Sequence, residues 1–241
     1  MAELRQNTWT LDQWYDQDVA GNANYSRITG SLLAWGNQNS PSTRNGALGL
    51  NDNTSRSSPT QVGTDADWDQ VFTGGGGHTG CFKTDGTLWM WGNNTKGQCG
   101  NNTVARLSSP TQLPGTWTST LCSSSYAVTN CARSDGTIWS WGDNEYGELG
   151  HNSTNAGTSS PTQIGTDSTW NYVNSGGDWS MASKTDGTIW MAGIQEFGQL
   201  GNNVGGTTQN LSSPIQLPGT DWVVRNCFGG NGLTPKAKKS A

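Results

Sequence analysis

Histidines and carboxylates in this sequence do not form a recognisable catalytic or metal-binding set. The two histidines, His78 and His151, lie in different parts of the chain, whereas a zinc site or a Ser-His-Asp triad needs several such groups together. Asp65, Asp67 and Asp69 alternate, but the glycine and glutamate of a calcium-binding loop do not follow them. We therefore expect a solvated loop at these aspartates, no metal site and no catalytic residues.

The glycine-rich stretch Gly75-x-Gly77-x-x-Gly80 matches the dinucleotide-binding fingerprint as a letter pattern. That fingerprint functions only when a helix follows, because the helix N-terminus holds the phosphates. Here a strand hairpin is predicted to follow instead, since an Asp-Gly pair divides two short runs of apolar residues. The sequence thus indicates no cofactor.

The composition indicates a folded chain whose core depends on tryptophan. Among 241 residues there are 13 Trp and 34 Gly, the net charge is -5, and most polar residues are uncharged. The acidic pI of about 4.8 disfavours nucleic acid as a partner, and the one basic cluster is Lys236, Lys238 and Lys239. No apolar run is long enough for a membrane span and no secretory signal is visible, so we expect a cytoplasmic protein unless it is part of a virion.

The five cysteines occupy positions that recur along the chain. Cys81 and Cys131 precede an Asp-Gly pair, Cys122 and Cys227 follow a Trp, and Cys99 stands where other copies have Leu. A free cysteine packs as a small apolar residue, so we expect packing rather than redox or metal chemistry at all five. The odd number requires at least one unpaired or intermolecular thiol and fits a reducing compartment.

The chain repeats itself with a period of about 51 residues. Ser-Ser-Pro recurs four times, beginning at Ser57, Ser108, Ser159 and Ser212. A Trp follows each copy, and Asp-Gly-Thr recurs three times; these aspartates, Asp85, Asp135 and Asp186, are interpreted as turn residues rather than as a carboxylate site. A repeat of this length fixes the architecture before any local assignment is made.

Each unit contains the signals of four short strands. Asp85-Gly86 predicts a tight hairpin, and in the strand after it Leu88 and Met90 alternate with two tryptophans. Gly-x-x-Gly follows, as at Gly97–Gly100, and predicts a loop with positive φ around one buried side chain. Ser-Ser-Pro predicts an edge strand, because proline cannot donate to a central ladder. We therefore predict an all-β fold, a β-propeller of about four four-stranded blades.

The repeat resembles that of the regulator-of-chromosome-condensation family. The run TLWMWGNNTKGQCG and its copies TIWSWGDNEYGELG and TIWMAGIQEFGQLG match the family's Trp-Gly, Asn and Gly-Gln-Leu-Gly pattern, with Ala192 replacing a Trp in the last copy. The resemblance covers roughly residues 28–230. It implies a propeller, although known members mostly close seven blades. The family's plant photoreceptors are similarly rich in Trp, but the sequence shows no Trp-Arg cluster that would indicate light sensing.

The ends of the repeat region leave the closure of the propeller open. The repeats begin with a hairpin-type strand at Ile28–Trp35 and end with a Trp-type strand at Trp222–Cys227, so one unit is divided between the two ends. The terminal strands could close the ring within one chain, complete a neighbouring chain, or leave an open arc. A fifth Trp-type strand near Trp14 is an alternative to a docking arm. We expect an arm at 1–27, the propeller at 28–232 and a basic tail at 233–241.

The expected function is protein interaction without catalysis. Family members exchange nucleotides on a small GTPase and bind chromatin, inhibit enzymes, or act as scaffolds. Short acidic versions look like marine phage and bacterial repeat proteins, and this resemblance implies a virion decoration, tail or appendage protein, with other virion proteins or copies of itself as partners. The alternative is a soluble adaptor or inhibitor, and a nucleotide exchange factor is a weaker fit. The expected contact residues are Trp9, Trp14 and Tyr15, with Arg44 in an inserted loop at Ser40–Arg44.

Overall fold

The structure is a computed structural model, and it describes residues 30–38, 46–117, 122–154, 157–204, 210–228 and 236–239. Every regular element in these ranges is a β-strand, and no helix that could span a bilayer is found among them. The strands form five antiparallel sheets: three with four strands and one with two strands at each end. The N-terminal sheet comprises β1 (Leu33–Gly36) and β2 (Arg56–Gln61), and the C-terminal sheet comprises β15 (Trp222–Phe228) and β16 (Lys236–Lys239).

The three complete sheets are the propeller blades that the repeat predicts. Blade 1 comprises β3 (Trp68–Gly74), β4 (His78–Lys83), β5 (Leu88–Gly92) and β6 (Leu107–Leu113). Blade 2 comprises β7 (Cys122–Ser124), β8 (Val128–Ala132), β9 (Ile138–Gly142) and β10 (Thr158–Gln163). Blade 3 comprises β11 (Trp170–Ser175), β12 (Trp179–Lys184), β13 (Ile189–Gly193) and β14 (Leu211–Gln216). Each blade is an up-and-down meander in chain order, so its Ser-Ser-Pro strand lies at one edge, as predicted.

The blades are arranged around their first strands. Strands β3, β7, β11 and β15 contact one another in succession, which places them on the inside of the arc and the Ser-Ser-Pro strands on its rim. The apolar core lies between neighbouring blades. One cluster joins Phe82, Leu88 and Met90 of blade 1 to Trp117 and Trp141 of blade 2. Because each blade buries its faces against the next, the stability of the arc depends on the seams between blades.

The hairpins form as the sequence predicts. Gly86, Gly136 and Gly187 have φ near +80°, which is why glycine follows each aspartate. Asp85 Oδ1 accepts hydrogen bonds from the backbone N and the hydroxyl of Thr87, and these bonds hold the pKa of Asp85 below its ordinary value. Asp135 and Asp186 make the same pair of bonds to the threonine two residues on. The aspartates therefore serve the turns.

Two expectations about side chains are corrected. Cys122 and Cys131 lie opposite each other on β7 and β8 and form a disulfide, so they are not packed free thiols. Cys81 and Cys99 are buried and free, and burial raises the pKa of each thiol to about 12. A Trp-Arg cluster does exist, because the guanidinium of Arg133 lies over the rings of Trp117 and Trp139, at 4.9 and 3.9 Å from their centroids.

The same cation stack recurs in the other blades with lysine. Lys83 lies over Trp68 and Trp89, and Lys184 lies over Trp170 and Trp190, each at 4.5 to 4.9 Å from the ring centroids. The amine of Lys83 also pairs with Asp65 at 2.6 Å and with Asp67 at 3.2 Å. The aspartates that could have suggested a calcium loop therefore neutralise a stacked lysine.

The structure adds detail to what the sequence predicts for the two ends of the chain. The segment expected to be a basic tail contains β16, which pairs with β15 and sets Lys239 opposite Trp222, as Lys83 lies opposite Trp68. Among the described strands, β1 pairs with β2 and β16 pairs with β15, and the two terminal sheets are not joined to each other. The expected arm at 1–27 and the inserted loop at Ser40–Arg44 lie outside the described residues.

Candidate functional site

The first three Gly-x-x-Gly loops lie against the Ser-Ser-Pro strand of the next sheet. In the loop Gly97–Gly100 both glycines have positive φ, +83° and +68°, and the side chain of Cys99 between them is buried, as predicted. A Cβ at Gly97 would lie only 2.6 Å from the Cα of Ser159 in the next blade, so no other residue fits there. We call these four loops the joint loops; the others are Gly46–Gly49, Gly147–Gly150 and Gly198–Gly201.

A tryptophan from the next blade inserts against the first two joint loops. Trp91 donates its indole N–H to the carbonyl of Ala47 at 3.0 Å, and Trp141 donates to the carbonyl of Gln98 at 2.8 Å. Both indoles are almost fully buried, at 2% and 0% exposure. A Cβ at Gly49 or Gly100 would lie within 2.8 Å of the inserted indole, so the second glycine of the loop makes room for it. We call Trp91 and Trp141 the seam tryptophans.

The seam between blades 2 and 3 lacks this tryptophan. Ala192 occupies the position of Trp141 on β13, and the atom nearest to a Cβ at Gly150 belongs to Pro214, at 3.3 Å, rather than to an indole. An apolar cavity of about 20 Å³ remains between Gly150, Ile164 and Ala192. The missing indole is therefore only partly replaced by the surrounding side chains.

An open cleft of about 460 Å³ lies over this cavity and shares four of its lining residues. The shared residues are Gly150, Ile164, Trp190 and Pro214. The polar part of the wall includes His151, Lys184 and Ser213. A concave site with aromatic and apolar walls and a few polar groups has the character of a binding site. We call it the seam cleft.

His151 is held in one orientation at the wall of the seam cleft. Its Nε2 lies 2.8 Å from the Ser140 hydroxyl and 3.2 Å from the carbonyl of Thr162. Ser140 donates its own proton to the carbonyl of Leu149, so Nε2 of His151 carries the hydrogen and donates. Burial lowers the pKa of His151, and the ring is therefore neutral at pH 7.

Lys184 gives the cleft its charge. Its amine pairs with Asp167 at 2.7 Å and lies over the rings of Trp170 and Trp190, and all four residues line the cleft. The carboxylate and the two indole faces thus hold the amine at the cleft wall. The cleft combines a pre-formed aromatic wall with one compensated charge.

Glu148 makes the joint loop at this seam differ chemically from the others. It replaces Gln98 of the preceding loop and keeps the same bond, accepting from the backbone N of Tyr146 at 2.8 Å as Gln98 accepts from that of Lys96. Burial raises the pKa of Glu148 to about 7, and backbone hydrogen bonds oppose the shift. The seam without a seam tryptophan therefore also carries a carboxyl group whose pKa lies near 7.

This arrangement supports binding better than catalysis. The pair Ser140 and His151 has the distance of a nucleophile and its base, but Ser140 is fully buried and its hydroxyl proton is committed to a backbone carbonyl. His78 is also fully buried, and burial lowers its pKa to about 4. No group of three His, Cys, Asp or Glu side chains able to hold a metal occurs within the described ranges.

The predicted contact residues Trp9, Trp14, Tyr15 and Arg44 lie outside the described residues, so their role stays a prediction.

The seam cleft was missed at the sequence level. The one sequence signal for the cleft is Ala192, the single break in the series of seam tryptophans. Gly150, which lines the same cavity as Ala192, lies in the preceding repeat. Only the packing of two consecutive repeats reveals their contact.

Comparison with known proteins identifies the repeat. The family profile described as the regulator of chromosome condensation (RCC1) repeat matches residues 85–128 and 135–183. Among curated proteins none matches in sequence.

Solved structures of similar fold come from yeast and human. Prp20p of Saccharomyces cerevisiae, described with its binding properties to Gsp1p and histones, matches with a TM-score of 0.70 and 21% identity over 88% of this chain and 52% of its own. Human WBSCR16 matches with a TM-score of 0.64 and 20% identity over 78% and 48%. Yeast RCC1 (Prp20) in complex with Kap60 matches with a TM-score of 0.68 and 21% identity over 88% and 51%.

These structures show the fold that the chain shares with them, and the chain spans about half the length of each. The repeat profile, the blade order and the joint loops agree with one another. The chain therefore has the β-propeller fold of these structures, and residues 85–128 and 135–183 match the RCC1 repeat.

Proposed function

We propose that this protein is a non-enzymatic binding module that takes a segment of a protein partner in the seam cleft. The observation that carries the proposal is the open position beside Ala192. The equivalent position is filled by a buried indole at both preceding seams. A partner side chain bound in the cleft would lie next to that position, because Gly150, Ile164, Trp190 and Pro214 line both the cleft and the cavity beside Ala192.

The chemistry of the cleft favours an aromatic side chain on the partner. Trp190 and Pro214 offer flat apolar surfaces, and aromatic residues packed into such pockets often dominate the energy of protein interfaces. Glu148 lies next to Leu149 and Gly150 of the cavity wall, and its backbone carbonyl corresponds to the Gln98 carbonyl that accepts from Trp141. An indole N–H from the partner is the best match for that acceptor.

The solved relatives support a binding role. Yeast Prp20 is described as binding Gsp1p and histones and is seen bound to Kap60, and all of these partners are proteins. A soluble adaptor or inhibitor fits this role and uses the described surface. Exchange activity on a GTPase is not proposed, because the chain spans only about half of those relatives.

The virion role expected from the sequence depends on residues 1–27, which are outside the described residues. Neither the repeat profile nor the solved relatives points to a virion. It stays a prediction, and deleting residues 1–25 tests it: a virion component would lose incorporation while the propeller stays folded.

A peptide selection tests the binding proposal. A random peptide library is selected on the wild-type chain and counter-selected on Ala192→Trp, whose indole should fill the open position. We expect enrichment of peptides that contain Trp, and a titration should show binding to the wild type and to the exposed-site control Val104→Ala, with at least a tenfold weaker affinity for Ala192→Trp. Equal affinity for Ala192→Trp, with its fold verified by circular dichroism, would refute the proposal.

A further inference from the structure

The joints between blades follow one hydrogen-bond rule. A residue with left-handed backbone, two positions after each joint loop, donates its backbone N–H to the first serine of the next Ser-Ser-Pro strand. Asn102 donates to Ser159 at 2.8 Å, and Asn152 donates to Ser212 at 2.7 Å. In these two joints the second serine also donates its hydroxyl to the asparagine side chain, at 3.0 and 2.9 Å.

The joint loop of blade 3 has the same conformation with nothing seated on it among the described residues. Gly198 and Asn203 have φ of +78° and +62°, close to those of their counterparts. A Cβ at Gly198 would meet no atom within 4 Å, whereas one at Gly147 would lie 2.6 Å from Ser212. Phe197 is 66% exposed, while its counterpart Tyr146 packs on the core of the next blade. This surface, Phe197–Asn203, is a joint without its second half.

The N-terminal sheet carries the missing half. Trp35 has the position of the seam tryptophans at the end of β1, yet it is 60% exposed because no joint loop covers it among the described residues. Ser57 and Ser58 on β2 have the positions of Ser159 and Ser160. Trp35 and the two serines therefore lack the contacts of their counterparts, because the described residues include no joint loop that faces them.

The terminal sheets are complementary in their strands as well. β15 and β16 pair as the first two strands of a blade, with Trp222 opposite Lys239, and β1 and β2 pair as the last two. A blade formed from β15–β16 and β1–β2 would set Trp35 and Ser57 against the joint loop of blade 3, as in every complete joint. One end of the described chain therefore fits the other.

We propose that the two ends join between two copies of this chain. The chain spans 52% of the length of the yeast propeller protein, and among the described strands its two terminal sheets are not paired with each other, so a second copy can meet both of them. Two copies give six complete blades and two composite ones, within the range of about 4–8 blades found in propellers. The contact is head-to-tail, and two such contacts close the ring. This contact surface between copies is separate from the seam cleft, and the proposal does not depend on what the cleft binds.

A cross-linking experiment tests the proposal. One tagged copy carries Ser58→Cys and an untagged copy carries Asn203→Cys, and the mixture is treated with a short bismaleimide that joins thiols. The internal reference is a single chain with Asn102→Cys and Ser160→Cys, whose side chains are in contact, and wild-type chain gives the background from native cysteines. We expect a cross-linked heterodimer, and a native mass of twice the 25.6 kDa chain before cross-linking. A species of 25.6 kDa that cross-links only when both cysteines are in one chain would show closure within the chain and overturn the proposal.

A matched glycine pair separates assembly from folding. Gly198→Ala and Gly165→Ala both place alanine at positive φ where a Cβ meets no atom within 4 Å, so they should destabilise the separate chain equally. In the two-copy ring the new methyl at residue 198 would collide with Ser57 of the other copy. We expect Gly198→Ala to weaken dimerisation at least tenfold and Gly165→Ala to leave it unchanged. Equal dimerisation of both variants would contradict the proposed contact.

Discussion

The seam between blades 1 and 2 and the seam between blades 2 and 3 use the same backbone joint but differ in one side chain. Both have a glycine loop with positive φ, and both have an asparagine bonded to the next Ser-Ser-Pro strand. Trp141 fills the first seam, whereas Ala192 leaves a cavity of about 20 Å³ in the second, next to the seam cleft. The backbone joint is therefore common to both seams, and the side chain at this position decides whether the seam is filled or keeps a cavity.

The largest effect is expected from making the closed seam resemble the open one. Trp141→Ala removes a fully buried indole and its hydrogen bond to the Gln98 carbonyl, so the free energy of unfolding should fall by about 3–5 kcal/mol. Chemical denaturation followed by circular dichroism measures the change, with Val104→Ala, an exposed position, as the control. A loss below about 1 kcal/mol would mean that the seam tryptophan contributes little to the joint.

The next largest effect is expected at Glu148, the carboxyl group of the open seam. Its pKa is raised to about 7 by burial, so the unfolded chain loses its proton at lower pH than the folded chain. The penalty is absent below about pH 4.5, grows as the pH rises towards 7, and is complete above that value. Glu148→Gln should therefore stabilise the protein by on the order of 2 kcal/mol at pH 8 and by much less at pH 4.5.

The control for this prediction is Glu196→Gln, on the exposed part of the following loop. Gln98 and Gln199 already show that an amide fits the position, because each accepts the same backbone hydrogen bond. Stability measured against pH should thus lose its slope between pH 4.5 and 7 in Glu148→Gln alone. An unchanged slope would show that Glu148 is not the group responsible.

The smallest of these effects is expected from closing the open seam. Ala192→Trp places an indole between Gly150 and Ile164, where the cavity and the cleft provide space, and should raise the free energy of unfolding by about 1 kcal/mol. Thermal unfolding measures the gain. The matched substitution Ala182→Trp should destabilise the protein instead, because Ala182 is buried beside the same cavity but does not stand at the position of a seam tryptophan. Destabilisation by both would show that the position beside Ala192 is not a vacant tryptophan site.

Much of the fold follows from short-range patterns in the sequence. The period of Ser-Ser-Pro gave the blade length, Asp85-Gly86 gave the hairpin, and Pro59 and its counterparts gave the edge strands, because each of these signals acts within a few residues. The positive φ of the joint loops was also predictable, since glycine spacing reports directly on the backbone.

Contacts between distant residues were not predictable in the same way. Lys83 and Arg133 reach their tryptophans because antiparallel register sets the two strands side by side, and Cys122 meets Cys131 for the same reason. The seam cleft depends on Gly150 and Ala192, which belong to different repeats, so a comparison of aligned repeats identifies the change at residue 192 but not the space that it opens. Register and the packing of one blade on the next supply this information.

The most direct measurement is the binding of 3-methylindole, the side-chain analogue of tryptophan, to the wild-type chain and to Ala192→Trp. Two-dimensional NMR can follow the indole N–H signals of the cleft tryptophans, Trp170 and Trp190, during the titration. We expect saturable shifts of these signals in the wild type and none in Ala192→Trp. No binding to the wild type, or equal binding to both chains, would contradict the claim that the seam beside Ala192 is an open tryptophan site.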